Sequence, residues 1–162
     1  MRQTTIELFK EGMKFSAGHF TIFSATEREN LHGHNFNVYI SLTANILENG
    51  MCFDYGIYKK RINDLCREWN EIVILPGQSK YLKISEEDNY IYAYFNNEKI
   101  PFLKRDVIIL PIENATVEDF SYLMLNKLIS NPEELNSFQI KEITVKVFSG
   151  PGQCGSANWI NE

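Results

Sequence analysis

The chain has 162 residues, 44% of them hydrophobic, and a formal net charge of −5, which predicts one folded domain spanning residues 1–162. The acidic balance argues against nucleic acid or an anionic membrane surface as a partner, and no apolar run approaches the ~20 residues of a membrane span. The N-terminal residues lack the apolar segment of a signal peptide, and three widely spaced cysteines form no disulfide framework. We therefore expect a cytoplasmic protein.

Strand patterns dominate the first part of the chain. Thr5–Phe9 and Lys14–Phe20 predict a pair of strands, with a turn at Glu11-Gly12 between them. Strict alternation of apolar and polar residues over Phe36–Thr43 predicts a third strand with one buried face.

Two segments have helical periodicity. The first runs from about Tyr55 to Trp69, after Asp54 as a candidate N-cap, and its apolar residues recur along one helical face. The second runs from about Val117 to Ser130, with Thr116 as the candidate N-cap. The pair Asn131-Pro132 is expected to end it.

A β-rich insertion at about 76–111 separates the two helices. Leu82–Ile84 and Tyr90–Phe95 flank a polar segment and predict a hairpin, and Val107–Leu110 is a short buried strand. A last strand is predicted at Ile143–Phe148. The order strands, helix, strands, helix, strand predicts an α+β fold on a mainly antiparallel sheet.

The three histidines of the chain, His19, His32 and His34, lie in one short stretch. Side chains at i and i+2 of a strand point to the same face, so His32 and His34 can reach one ion, and His19 on a neighbouring strand can supply a third nitrogen. Three imidazoles without a fourth protein ligand are the composition of a catalytic zinc site with an open position. The alternative is three ordinary core or surface histidines that bind no metal.

Other candidate residues are ambiguous on local sequence alone. Glu29, near the histidines, and Glu71, after the first helix, are each placed either to transfer protons or simply to face solvent. The turn Ser149–Gln153 offers backbone amides to a polar ligand, or it is a plain turn.

Four motifs occur in the order in which one enzyme family carries them. They are Phe15-Ser16-Ala17-Gly18-His19, Leu31-His32-Gly33-His34-Asn35-Phe36, Gly50-Met51-Cys52-Phe53-Asp54-Tyr55 and Thr116-Val117-Glu118. Together they resemble the 6-pyruvoyl-tetrahydropterin synthase / 6-carboxytetrahydropterin synthase family over nearly the whole chain. The resemblance implies a tunnelling fold (T-fold), in which an antiparallel sheet carries two helices on one face. It also implies a homo-oligomer, commonly a hexamer.

The same resemblance implies a reaction and a metal. Zn²⁺ would bind His19, His32 and His34, and the small-molecule substrate would be a pterin derived from dihydroneopterin triphosphate. The usual members carry a catalytic cysteine shortly before the His-Gly-His motif, and this chain has none there. Its Arg28-Glu29-Asn30-Leu31 resembles the branch with glutamate in that place, which is associated with a 6-hydroxymethylpterin for folate. Glu29 thereby becomes the candidate general acid and base.

Two departures from the family pattern concern the residues around the metal. The family's Leu-Asp-His after the first helix appears here as Trp69-Asn70-Glu71, so Glu71 would have to replace the histidine. The position of the family's pterin-anchoring glutamate appears here as Ser149. Thr116 and Glu118 match the family's second-helix motif, and the resemblance implies that they contact the substrate.

Three functions follow from these expectations. The first is a zinc-dependent lyase acting on the side chain of dihydroneopterin triphosphate or a related pterin, in a folate or queuosine pathway. The second is a zinc-holding binding or scaffold protein of the same fold with lost or altered catalysis. The third is a zinc hydrolase of an unrelated substrate, in which Glu29 or Glu71 activates metal-bound water.

Overall fold

Ten strands and three α-helices build the protein, and the computed structural model describes all of residues 1–162. The strands are β1 (Gln3–Leu8), β2 (Lys14–His19), β3 (His32–Asn45), β4 (Ile72–Pro76), β5 (Leu82–Glu87), β6 (Tyr90–Phe95), β7 (Glu98–Leu103), β8 (Val107–Leu110), β9 (Ile140–Gly150) and β10 (Gln153–Ile160). The helices are α1 (Gly56–Glu68), α2 (Val117–Leu128) and α3 (Pro132–Ser137), and a 3₁₀ turn covers Lys104–Asp106. None of the helices has the length and apolar character that crossing a membrane requires.

Seven strands form the main sheet, in the order β10-β9-β3-β2-β4-β8, with β1 also paired to β3. β1 and β2 lie end to end along one edge of β3, and β9 lies along the other edge. These pairings are antiparallel, as predicted. β4 is parallel to β2 and β8 is parallel to β4. The sequence patterns did not indicate this parallel extension, which depends on long crossover connections rather than on local alternation.

The main core lies between this sheet and the helices. Phe36, Val38, Ile40 and Leu42 alternate along β3 and are each at most 3% exposed, because they face the helices. The buried helix residues that meet them are Tyr58, Ile62, Leu65 and Cys66 of α1 and Phe120, Met124, Leu125 and Leu128 of α2. The predicted packing of two helices on one face of the sheet is therefore present.

The helix boundaries agree with the sequence to within two residues, and one cap differs. Thr116 caps α2 as predicted, because its hydroxyl accepts a hydrogen bond from the backbone N–H of Asp119 (3.3 Å). At α1 the assigned cap position is Tyr55, one residue after the predicted Asp54, and Tyr55 makes no side-chain cap. The Asp54 carboxylate accepts a hydrogen bond from the backbone N–H of Gly56 (2.9 Å), as a capping side chain does. Pro132 follows α2 as expected and begins α3, where its missing N–H costs nothing.

A second, three-stranded antiparallel sheet is formed by β5, β6 and β7. Along β6, Ile91, Ala93 and Phe95 point into a small second core, and the tyrosines between them face solvent. The predicted hairpin is confirmed, although its turn is shorter than the polar segment suggested, since β5 continues to Glu87. Four elements were not predicted individually: β4, β7, α3 and β10. β7 and β10 alternate only weakly between apolar and polar residues.

Candidate metal centre

The register between β2 and β3 brings the three histidines together. His19 is paired directly with His32, and Ala17 is paired with His34, so all three rings project from one end of these two strands. One ring nitrogen from each lies within 4.8 Å of the others. The Nε2 atoms of His32 and His34 are 3.0 Å apart. This convergence is the one that the i, i+2 spacing predicted.

Backbone carbonyls orient two of the rings. The Nδ1–H of His19 donates to the carbonyl of Ala115 (2.6 Å), and the Nδ1–H of His32 donates to the carbonyl of Asn30 (2.7 Å). Since a carbonyl can only accept, each neutral ring keeps its Nε2 free of a proton. The Nε2 of His19 is buried and has no protein partner. A histidine that binds a metal usually donates the N–H of one ring nitrogen to a carbonyl or carboxylate and binds the ion through the other nitrogen.

The protonation state of His19 also suits a metal ligand. Burial lowers the pKa of His19 below its usual value, the Ala115 carbonyl partly opposes this, and the nearby His32 and His34 lower it further. A neutral imidazole, which binds metal, is therefore the stable form at pH 7. Two ligands at ~2.0–2.1 Å from a tetrahedral ion lie roughly 3.3 Å apart, close to the observed His32–His34 spacing. The triad can therefore hold a metal ion with one position open.

Two glycines allow β2 and β3 to approach each other beside the triad. Gly18 and Gly33 are directly paired across the two strands. A Cβ on Gly33 would lie 3.0 Å from the Ala17 carbonyl oxygen, and one on Gly18 would lie 3.2 Å from a methyl group of Val73. The glycines also line a cavity of about 630 Å³ that includes His34. His34 is the member of the triad that lines this cavity, which is large enough for a small molecule.

Glu29 lies against the triad and is held in place. Its backbone N–H donates to the carbonyl of Thr21 (2.9 Å), and its Oε1 accepts from the N–H of Thr21 (2.9 Å). Its Oε2 is 3.8 Å from the Nε2 of His32. Burial raises the pKa of Glu29, but the Thr21 hydrogen bonds and the histidine charges lower it more, so the net pKa is below the usual value. An ionised, fixed carboxylate thus stands beside the candidate metal position.

Glu71 reaches the same cavity from the junction of α1 and β4. Its backbone N–H donates to the carbonyl of Ser16 (2.6 Å), while the side-chain oxygen of Asn70 accepts from the N–H of Ser16 (2.8 Å). Glu71 has a φ of 56°, in the left-handed region that disfavours most residues. Its side chain is exposed, and it lines the cavity together with His34.

Of the predicted site residues, only His34 and Glu71 line this cavity. Thr116, Glu118 and Ser149 lie outside it, as do His19, His32 and Glu29. The Thr116 hydroxyl is engaged as the cap of α2, and Glu118 is exposed on the first turn of that helix. Gly155 of β10 packs against this turn, since a Cβ there would lie 2.5 Å from the Val117 carbonyl. The Ser149 hydroxyl accepts a hydrogen bond from the side chain of Gln153 (2.7 Å).

The structure adds two residues that the sequence reasoning missed. Phe102 from β7 and Asp106 from the 3₁₀ turn line the cavity beside Glu71 and His34. The small second sheet therefore forms part of the wall around the candidate centre. No local pattern could have indicated this, because neither residue lies near the histidines in sequence.

A sequence model of the family described as 6-pyruvoyl tetrahydropterin synthase matches residues 7–157. The chain belongs to this family. It is 27% identical over 143 residues to a Methanocaldococcus jannaschii protein provisionally named 6-carboxy-5,6,7,8-tetrahydropterin synthase, covering 88% of this chain and 87% of that protein. Membership in the 6-pyruvoyl tetrahydropterin synthase family supports a lyase-like enzyme that acts on a pterin side chain.

Solved structures agree with the fold. The crystal structure of 6-pyruvoyl tetrahydropterin synthase from Plasmodium vivax superposes with a TM-score of 0.93 at 27% identity, covering 99% of this chain and 100% of that one. The Plasmodium falciparum enzyme gives a TM-score of 0.92 at 28% identity, covering 98% and 99%. The expected T-fold is thereby confirmed. Two variants of the P. vivax enzyme, also solved, replace a catalytic glutamate with alanine or cysteine.

Proposed function

We propose that the protein is a zinc-dependent lyase that acts on the side chain of dihydroneopterin triphosphate or a related pterin, in a folate or queuosine pathway. The observation that carries this proposal is the convergence of His19, His32 and His34, with the Glu29 carboxylate 3.8 Å from the His32 ring nitrogen. Zinc suits the site because three imidazoles with an open fourth position are a typical catalytic zinc set.

The chemistry divides between the metal and the carboxylate. Zinc bound to the three histidines would polarise oxygens of the substrate side chain and lower the barrier to removing a proton from the adjacent carbon. Glu29 would accept that proton and return it to the product, since its carboxylate is ionised and fixed by Thr21. The catalytic glutamate of the P. vivax relative supports this role for Glu29.

Glu71 is proposed as a second proton-transfer group. A glutamate with left-handed φ costs on the order of 1 kcal/mol relative to a residue that suits this conformation. Asp88, Asn96 and Gln139 have a similar φ at turns outside the cavity, so the place of the Glu71 side chain, rather than its backbone strain, supports this role. Glu71 lines the same cavity as His34, so its carboxylate is placed to exchange protons with a molecule bound there.

We further propose that the substrate site is completed in a cytoplasmic homohexamer, in which Thr116, Glu118 and Ser149 of one chain contact the pterin held at the metal of another. Two observations support this. These three residues do not line the cavity of their own chain. Phe9, 70% exposed and stacked on Tyr39, also leaves apolar surface on the sheet face opposite the helices. Size-exclusion chromatography with light scattering measures the molar mass of the assembly and hence the number of chains in it.

The second candidate is a zinc-holding pterin-binding or scaffold protein without turnover. The supporting observation is that Asn70 cannot ionise and that its side-chain oxygen is engaged by the N–H of Ser16. The Asn70 side chain thus links β2 to the end of α1, and it cannot take up or release a proton as a carboxylate could.

One experiment separates the candidates. The zinc-loaded protein is incubated with dihydroneopterin triphosphate, the products are separated by chromatography, and binding is followed in parallel by pterin fluorescence. A rearranged pterin with released triphosphate is the expected result. Tight binding without conversion, in folded and zinc-loaded protein, would establish the scaffold function instead. Hydrolysis of the phosphates with an unchanged pterin side chain would indicate a zinc hydrolase.

A further inference from the structure

Asn114, in the loop before α2, connects the segment that follows His19 with the backbone that orients the His19 ring. We propose that Asn114 is a positioning residue for both His19 and Glu29, and that Asp119 holds Asn114 in place. The proposal deepens the proposed function, since it rests on metal binding at the histidine triad.

The first contact joins Asn114 to Ile22, three residues after His19. The Oδ1 of Asn114 accepts from the backbone N–H of Ile22 (3.0 Å), and its Nδ2 donates to the Ile22 carbonyl (2.8 Å). This double hydrogen bond imitates the pairing of one strand residue with another, although one partner is a side chain. It fixes the chain just beyond β2 against the loop before α2.

The second contact reaches the His19 ring. The same Oδ1 of Asn114 accepts from the N–H of Ala115 (3.1 Å), and the carbonyl of Ala115 accepts from the Nδ1–H of His19 (2.6 Å). Ala115 is completely buried, so water cannot replace these partners. The asparagine thus limits the freedom of the one carbonyl that orients the His19 ring.

The third contact reaches Glu29 through the residue next to Ile22. Thr21 donates its N–H to the Glu29 carboxylate and accepts the Glu29 N–H through its carbonyl, both at 2.9 Å. Because Asn114 fixes both backbone polar groups of Ile22, it also limits the movement of Thr21. A single amide side chain therefore connects a metal ligand with the proposed proton carrier.

Asp119 fastens this loop from the first turn of α2. Its Oδ2 accepts from the N–H groups of Asn114 (2.9 Å) and Glu113 (3.1 Å), and its own N–H donates to the Thr116 hydroxyl. A carboxylate is favoured at this helix end by the free N–H groups there. Asparagine can replace Asp119 in this role, since its side-chain oxygen can accept the same hydrogen bonds.

Metal affinity is the quantity that distinguishes positioning from ordinary loop stability. A group that merely fastens the loop lowers the thermal stability of the metal-free protein and leaves the metal site unchanged. By contrast, removing a group that orients a metal ligand by hydrogen bonding typically weakens metal affinity by ~10–100-fold. The absorption spectrum of bound Co²⁺ adds a second readout, because it responds to ligand geometry.

The test compares N114A, D119A and D119N with the control N126A, which removes an exposed asparagine from α2. Zn²⁺ affinity is measured by competition with a chelating dye, together with the Co²⁺ spectrum and the Tm of the metal-free protein. We expect N114A to bind Zn²⁺ ~10–100-fold more weakly and to have an altered Co²⁺ spectrum. D119A should show a smaller change of the same kind, D119N should regain most of it, and N126A should match the parent protein.

The outcomes are decisive for both proposals. Parent-like Zn²⁺ affinity and Co²⁺ spectrum in folded N114A would overturn the positioning role. If N114A does not fold, the comparison of D119A with D119N decides: equal Zn²⁺ affinity in these two variants and the parent would overturn it as well. A parent protein that binds no Zn²⁺ would overturn the proposed function together with this inference.

Discussion

Two parts of the candidate centre differ in how their side chains are fixed: the metal side, formed by the three histidines, and the open side, formed by Glu71 and Asp106. On the metal side, His19 and His32 lie opposite each other on paired strands, and backbone carbonyls orient both rings. On the open side, Glu71 and Asp106 are exposed and come from a helix–strand junction and a 3₁₀ turn. The metal side is therefore fixed by the paired strands together with the loop before α2, whereas the open side is built from exposed side chains.

The largest expected effect comes from removing a histidine on the metal side. H32A leaves two ring nitrogens, so we expect loss of bound zinc and a fall in kcat/KM on the order of 10³, because the ion contributes several kcal/mol. Mass spectrometry measures the zinc content, and steady-state kinetics measure kcat/KM. The control N37A, at an exposed position of the same strand, should keep both values. Full activity of zinc-free H32A would show that the metal side is not needed.

The next effect comes from Glu29, which contacts the metal side but has a different role. E29Q keeps the shape and loses the basic carboxylate, so we expect kcat to fall by ~10²–10⁴ while zinc content stays unchanged. The matched control is E27Q, an exposed glutamate of the same loop. A loss of zinc in E29Q would mean that Glu29 acts as a ligand rather than as a proton carrier.

A smaller effect is expected from Glu71 on the open side. E71N removes the carboxylate and suits the left-handed backbone, so Tm should stay constant or rise. We expect kcat to fall roughly tenfold. This is less than for Glu29, whose carboxylate is fixed by hydrogen bonds, because the Glu71 side chain is exposed to solvent. E68N, at the exposed end of α1, is the control. Unchanged kcat in E71N would leave Glu29 as the only glutamate that transfers protons.

The smallest effect on activity is expected at a contact away from both sides. Glu134 of α3 accepts two hydrogen bonds from Arg61 of α1, at 2.5 and 2.7 Å. These bonds lower the pKa of Glu134 below its usual value, with burial opposing. A carboxylate with lowered pKa stabilises the fold above the unfolded pKa of ~4.3. This stability is lost as the pH falls through the lower folded-state value.

E134Q is therefore expected to lower the free energy of unfolding by about 1–2 kcal/mol at pH 7, allowing for the partial exposure of Arg61. The difference from the parent should shrink as the pH falls below ~4. Thermal unfolding at the two pH values measures this, with E133Q as the neighbouring control. Zinc affinity and kcat should not change, and a large fall in either would show that α1 and α3 are coupled to the metal side.

The metal side was predictable from the sequence, and much of its surroundings was not. The i, i+2 spacing of His32 and His34 on a strand determines that both point the same way, and adding His19 requires only that β2 pairs with β3. Asp106 and Asn114 reach the centre through contacts between segments far apart in the chain. Such contacts leave no periodic pattern, so no reading of local sequence could identify them.

The pairing of Gly18 with Gly33 has a consequence for the spacing of the histidines. A side chain on Gly33 would come within 3.0 Å of the Ala17 carbonyl oxygen, so the strands would have to separate by a few tenths of an ångström. His19 and His32 lie on these two strands, and their ring nitrogens would move apart with them. The missing Cβ therefore keeps the ring nitrogens of His19 and His32 close enough to reach one ion.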